Sequence, residues 1–365
     1  MNEILRLAGD LLGRQLTEPV DLGGSRRSAV LRCRTTDGAS VIVKAFDEQA
    51  DARRAFAGEA AGLSLGLAGP ELLAVDPDAR LLVMADLGAV PTLADLLLGD
   101  DPKAAERALL EWSRGLGRLA VRSVAHRAEF AEHWARYDPG MPSWDEDPWV
   151  EQNAARLPGV LAMAGLDPAP GLAEELARIG TAGGERYPAF TPGDTCPDNN
   201  LITPDGLRLI DFEGAGYVSV FLTAAYCRMP FATCWCVFEL PPELAAEAEQ
   251  AYRAEVVQAY PELAEDALWS AGMEQAIAVW TVDVTVRALS RALTEDWLRH
   301  PTRRPVPTMR QLLRHRWEQA ATLTGHPAFA ETMRRLLREV ADGWDLPPLG
   351  GYPALPLTPG VRAGS

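Results

Sequence analysis

Lysine is almost missing from this chain. Of its 35 basic residues only Lys44 and Lys103 are lysines, and asparagine is confined to Asn2, Asn153, Asn199 and Asn200. Where arginine serves, the chain uses arginine. A lysine inside an apolar strand and two adjacent asparagines in a loop therefore mark chemistry that wants those groups. No apolar run approaches the roughly 18–20 residues that span a bilayer, so no membrane partner is expected. The leading segment, MNEILRLAGDLLGRQL, carries acids and arginines among its apolar positions. It reads as an amphipathic helix, not a signal peptide. Cysteine is scarce: Cys33, Cys196, Cys227, Cys234 and Cys236 make neither a disulfide framework nor a zinc-binding spacing. A reducing cytoplasm is the expected setting. Basic charge is in deficit as well, with a formal net charge of −16, and this excludes the basic stripe that nucleic acids require. An acidic field favours cationic substrates, although it also simply keeps a protein soluble. No G-x-x-x-x-G-K-[ST] run is present, which excludes a Walker-type NTPase.

What is present suits a two-lobed globular protein: 365 residues, 47% of them apolar and 24% charged. After the first helix, strand character runs through 19–23, 29–34 and 40–46, with Asp37-Gly38 as a hairpin signal. A helix is expected over 48–66 and two more strands over 71–76 and 80–85. From there the pattern turns helical, over 92–98, 103–124, 171–182, 218–228, 241–258, 262–296, 306–323 and 326–343. Residues 138–149 form a loop rich in Pro, Asp and Trp, and short strands flank the centre at 201–203 and 207–210. The expected organisation is a β-rich lobe over 1–88, a helical lobe over 89–346, and a Pro/Gly-rich tail over 347–365 that is irregular or mobile.

The segment richest in chemistry is Pro192-Gly-Asp-Thr-Cys-Pro-Asp-Asn199, followed by Leu207-Arg-Leu-Ile-Asp211-Phe-Glu213. It sets a carboxylate, an asparagine five residues on, and a second carboxylate at the end of a hydrophobic strand. Phosphoryl transfer needs this set. One Asp orients the attacking hydroxyl and takes its proton, while an Asn and a second Asp hold the Mg²⁺ that bridges the phosphates. Asp194 is the candidate base, and Asn199 and Asp211 are the candidate metal ligands. Each residue alone is equally a turn former; their joint spacing carries the reading.

This pattern resembles the aminoglycoside phosphotransferase and choline kinase-like superfamily, which has the protein-kinase-like fold. Gly193-Asp194, Pro197, Asn199 and Ile210-Asp211-Phe212-Glu213 match its motifs, and Pro192 replaces the family's His. The resemblance implies an α+β, bilobal architecture and the use of ATP, or GTP, with Mg²⁺. It implies that Lys44, in Val-Ile-Val-Lys, contacts the α- and β-phosphates and pairs with Glu59. It places Gly23, Gly24 and Ser25 in the loop covering the phosphates, and Met84, Ala85 and Leu87 at the adenine.

In this family the acceptor binds in the helical lobe. Glu213, Arg228, Trp235, Trp280 and Asp283 are the candidate contacts for a hydroxyl of a small molecule such as an antibiotic, an aminoglycoside or a nucleoside. Asp283 and Arg287 lie four apart and also suit a plain intrahelical ion pair. A monomer and a homodimer are both compatible with the sequence. The alternative reading is a pseudokinase that binds nucleotide without transfer, favoured by Pro192. The retained Lys44, Asp194, Asn199 and Asp211 speak against it.

Overall fold

Alternation along three strands decides which way Lys44 points. In the computed structural model, which describes all residues except Ser25, Pro139, Gly184, Glu185, Ala232 and 358–365, helix α1 (Asn2–Leu12) precedes strands β1 (Leu16–Gly24), β2 (Ser28–Thr35) and β3 (Ser40–Phe46). Helix α2 (Ala50–Ser64) follows, then β4 (Leu72–Asp76) and β5 (Leu81–Ala85). The five strands make one antiparallel sheet in the order β1-β2-β3-β5-β4. Val41 and Val43 join Leu31, Cys33, Leu81 and Val83 in a small core against Ala8 of α1. Because successive side chains face opposite ways, Lys44 and Phe46 lie on the other face. There Phe46, Leu82 and Met84 join the main core with α2.

The large lobe opens with α3 (Leu93–Leu97) and α4 (Pro102–Ser123). Asp101 caps α4 by accepting from the Ala104 N–H, and Pro102 supplies the preset φ of the first turn. Then come α5 (Arg127–Tyr137), α6 (Trp149–Met163) and α7 (Leu172–Gly180). Four short strands follow: β6 (Pro188–Thr191), β7 (Asn200–Thr203), β8 (Gly206–Leu209) and β9 (Gly216–Ser219). β7 and β8 form a hairpin, and β6 pairs with β9. That second pairing brings the two ends of the motif-bearing segment together. The rest is helical: α8 (Val220–Ala224), α9 (Pro242–Val256), α10 (Asp266–Ala292), α11 (Met309–Ala320) and α12 (Pro327–Glu339). Trp269 and Trp317 are fully buried among these helices. Among the described residues no helix is long and apolar enough to cross a membrane.

Two expectations are corrected. The segment 218–228 is not one helix: pairing with β6 holds it extended through Ser219, and α8 then gives way to a 3-10 turn at Ala225–Cys227. The tail is irregular but docked as far as residue 357. Tyr352 is fully buried, its hydroxyl donates to the Cys236 carbonyl at 2.9 Å, and its ring packs edge-on against Phe231 and Phe238. The Glu239 N–H donates to Gly350 O and the Ala354 N–H to Leu97 O. Its aromatic and leucine side chains find apolar sites that composition alone does not reveal. Tyr352→Ala is expected to cost about 3–5 kcal/mol, measured as a lower urea midpoint; an unchanged midpoint would mean that the tail is not docked.

Candidate active site

Lys44 is the centre of the cleft. Its Nζ lies 2.8 Å from Glu59 Oε2, 2.7 Å from Asp211 Oδ1 and 3.0 Å from Glu213 Oε1. Burial works against the ammonium, but the three carboxylates outweigh it and hold the amine above its usual range. Burial pushes the Glu59 carboxyl up to about 7 against the pull of Lys44. Glu213 also meets Arg27 at 2.7 Å and accepts from the Ser28 hydroxyl. One network thus ties β2, β3, α2 and the Asp211–Glu213 segment.

Glycines let that segment come close. A Cβ on Gly58, beside Glu59 in α2, would stand 2.7 Å from Glu213 O, and one on Gly62 would stand 2.9 Å from the Phe212 ring. Gly193, at φ +90°, touches Gly214 so closely that a Cβ would lie 2.2 Å from its carbonyl oxygen. Asp211 takes φ 65°, a left-handed conformation that Asp tolerates better than most residues. Phe212 is buried beneath α2 and stacks on Phe190.

Asp194 opens onto the cleft from the loop between β6 and β7. Its Oδ1 accepts from the Cys196 N–H at 3.1 Å. Loss of water on its protein-facing side, aided by the negative charge of Asp211, pushes its carboxyl up to about 6. Asn199 donates from Nδ2 to Asp194 O at 3.3 Å, which leaves its Oδ1 without a protein bond among the described residues. The adjacent Asn200 is fully buried and spends its Nδ2 on the loop carbonyls of Thr195 and Cys196. Of the two, Asn199 is half-buried and Asn200 is locked into the loop.

A cavity of about 450 Å³ lies above Asp194, Asp211 and Glu213. Trp280 and Asp283 line it. Trp280 donates to Leu222 O and sits between the rings of Trp149 and Tyr226. Asp283 accepts from Asn153 and pairs with Arg287 on its own helix; burial holds its carboxyl above the usual range. Arg228 and Trp235 are corrections, since neither lines the cavity. Arg228 makes a two-pronged bond to Glu249, at 2.6 and 2.7 Å, behind the wall. Trp235 donates to Asp198 on the back of the loop and carries the Arg303 guanidinium on its ring. Trp144, Trp149, Asn153 and Arg27 join the cavity lining without having been singled out as acceptor contacts. The Trp/Asp/Pro composition of 138–149 was the one signal for Trp144 and Trp149.

On the small-lobe side of the cleft, Gly23 (φ 91°) and Gly24 end β1, and a Cβ on Gly24 would stand 2.2 Å from Ser28 O. Ser25 lies outside the described residues. Met84 is buried in the main core, not at a pocket mouth, because its place in β5 turns it inward. The Ala85 N–H is spent on Glu71 O, whereas the Leu87 N–H has no partner among the described residues. The cysteine expectation is also corrected. Cys196 and Cys234, 38 residues apart, form a disulfide with a Cα–Cα distance of 5.3 Å, while Cys33, Cys227 and Cys236 are free and buried. No local spacing signals a pair that distant in sequence.

This geometry has relatives among solved structures. A candidate fructosamine-3-kinase from Thermobifida fusca aligns over 93% of this chain and 99% of its own, at 17% identity and a TM-score of 0.50. The likeness shows a bilobal kinase-like fold. A macrolide 2'-phosphotransferase from Brachybacterium faecium aligns over 89% of this chain and 98% of its own, at 17% identity and a TM-score of 0.47. A choline kinase from Streptococcus pneumoniae aligns over 88% and 99%, at 14% identity and a TM-score of 0.45. No family model and no curated protein matches the sequence. Within this kinase-like fold the five-stranded sheet is the small lobe, and the segment from β6 to β9 faces it across the cleft.

Two measurements check the site's construction. Gly58→Ala adds a methyl against Glu213 O; overpacking of about 1–3 kcal/mol outweighs the roughly 1 kcal/mol by which Ala favours a helix. The urea midpoint is expected to fall, and a rise would mean that α2 does not approach so closely. Alkylation of the denatured protein is expected to label three thiols before reduction and five after it; five at the outset would refute the disulfide.

Proposed function

We propose that the protein is a Mg-ATP-dependent O-phosphotransferase that moves the γ-phosphoryl group of ATP, or GTP, onto a hydroxyl of a small molecule. Residues 1–88 serve as the nucleotide lobe and 89–346 carry the catalytic loop and acceptor site. The observation that carries this reading is Asp194 at the floor of a cavity beside Asp211, with Asp211 itself bonded to the buried Lys44.

The donor set suits a hard divalent cation. Among the described residues, the four carboxylates Glu59, Asp194, Asp211 and Glu213 have ion pairs to Lys44 and Arg27 alone. Asn199 Oδ1 and the solvent-facing side of Asp211 are oxygen ligands of the kind Mg²⁺ prefers. When bound there, the ion neutralises phosphate charge and orients the γ-phosphoryl group. Lys44 supplies a point charge to the α- and β-phosphates, and Glu59 keeps it aimed. Arg27 adds positive charge at the end of the glycine loop. Gly23, Gly24 and Ser25 belong to that loop, and the Leu87 N–H, with Ala85 and Met84 behind it, meets the adenine edge.

Asp194 performs the proton step. Its Oδ1 is occupied by the Cys196 N–H, so Oδ2 takes the acceptor proton as the hydroxyl oxygen attacks. A carboxyl raised to about 6 accepts a proton more readily than an ordinary aspartate. Trp280, Asp283 and Glu213 stand around the acceptor. Pro192 leaves the Gly193–Gly214 approach intact, so the replaced His is no obstacle to the loop's shape.

Asp194→Asn is expected to bind Mg-AMP-PNP as the wild type does and to lose roughly 10²–10⁴-fold in acceptor-dependent ADP release. Turnover near the wild-type rate would remove Asp194 from the proton step.

A further inference from the structure

The cavity above Asp194 does not end where the chemistry ends. A second and larger one, about 730 Å³, lies between α6, α7 and β9. The two have Trp144, Asp147, Trp149, Val218 and Leu222 in common. The two cavities thus adjoin along these residues. Trp144 is fixed there by donating to Glu213 O at 2.8 Å and by the Arg54 guanidinium 3.7 Å above its ring. Trp149 lies tilted against Trp280, with ring centres 5.5 Å apart, and Trp280 against Tyr226 at 5.6 Å. This row of rings runs from the shared wall to the catalytic loop.

The walls of the second cavity state what they would accept. Ala154, Pro158, Leu176 and Leu222 give an apolar floor. Its charged members, Asp145, Glu146, Asp147 and Glu151, are all acids, and no Lys or Arg is among its described lining residues. Arg54 neutralises Asp147, and Glu146 caps the turn at Ser143. Asp145 reaches Arg127 only at 3.6 Å through Oδ2, and its Oδ1 is buried without any partner. A buried carboxylate oxygen left unpaired is costly, and turning the Asp145 carboxyl toward a cationic donor in the cavity would relieve it. Compact acceptors fill the first cavity alone. A pair of joined cavities, each within the usual range of roughly 300–1,000 Å³ for a ligand site, fits something longer.

We propose that the acceptor is a bulky amphipathic amine: its reacting hydroxyl sits at Asp194, and its multi-ring body passes Trp149 into the second cavity, where Asp145 meets its positive charge. This rests on the phosphotransferase reading. Trp149 is then the residue that sets acceptor size, and α7 is the far wall. Ala177 of α7 is solvent-exposed and lines the second cavity away from the proposed chemistry, so a larger side chain there fills the cavity without disturbing the core.

The test compares ADP release with bulky hydroxyl-bearing amines (daunorubicin, erythromycin, puromycin) and compact ones (choline, glucosamine), in the wild type and in Ala177→Trp. Mg-AMP-PNP binding and the urea midpoint are measured beside it. Turnover of at least one bulky amine is expected, with KM raised about tenfold or more by Ala177→Trp and kcat little changed, the signature of lost ground-state binding. Nucleotide binding and stability are expected to stay at wild-type values. N-acetyldaunorubicin is expected to be a poorer acceptor than daunorubicin if daunorubicin is turned over. Turnover confined to the compact amines, bulky-amine turnover indifferent to Ala177→Trp, or no turnover of any bulky member while Mg-AMP-PNP binds would each overturn the proposal and leave the kinase reading standing. Failure to bind Mg-AMP-PNP would overturn the kinase reading itself, and this proposal with it.

Discussion

A buried ammonium shared by three carboxylates is the constraint on which the rest depends. Lys44 cannot be left alone in the interior, because an unpaired buried charge costs several kcal/mol. Its partners come from α2 and from the segment after β8, so satisfying Lys44 fixes the sheet, the helix and the large lobe relative to one another. The network is polar and therefore weak evidence for stability as such. What it secures is position, and it leaves more negative than positive charge in the cleft, which is the state in which a divalent cation is welcome.

Close backbone approach does the remaining positioning. Gly58, Gly62 and Gly193 stand where any side chain would strike the Phe212–Gly214 backbone or the Phe212 ring. The carboxylates of Asp194 and Asp211 are thus placed by contacts between main chains, which flex less than side chains do. The left-handed backbone of Asp211 is held by the same contacts and turns its carboxylate out from beneath α2 toward Lys44.

Much of this was legible in the sequence, and for identifiable reasons. The period-2 burial of β3, the Asp37-Gly38 turn and the spacing from Asp194 to Asn199 and Asp211 are local signals, and local signals survive in a single chain. Long-range facts were not legible. The Cys196–Cys234 pairing, the docking of Tyr352 under Cys236 and the turning of Arg228 toward Glu249 all join residues far apart in sequence. The helix expected over 218–228 failed because pairing with β6 overrides local helical preference up to Ser219. The cavity walls were half seen: Trp280 and Asp283 line the cavity, yet so do Trp144 and Trp149 from a segment that reads only as an irregular loop.

The bond from the Ala354 N–H to Leu97 O joins the docked tail to α3, the first helix after the crossing between lobes. The large lobe's chain therefore returns to where it began and closes as a circuit. Only the stretch around 86–91 connects it covalently to the small lobe, and that stretch is itself anchored where Ile202 donates to Pro91 O. Mechanically, the seam between sheet and large lobe is riveted along α2 as well: Arg53 pairs with Asp138 and Arg54 with Asp147, so the Lys44 ion pairs are one of several fastenings across it.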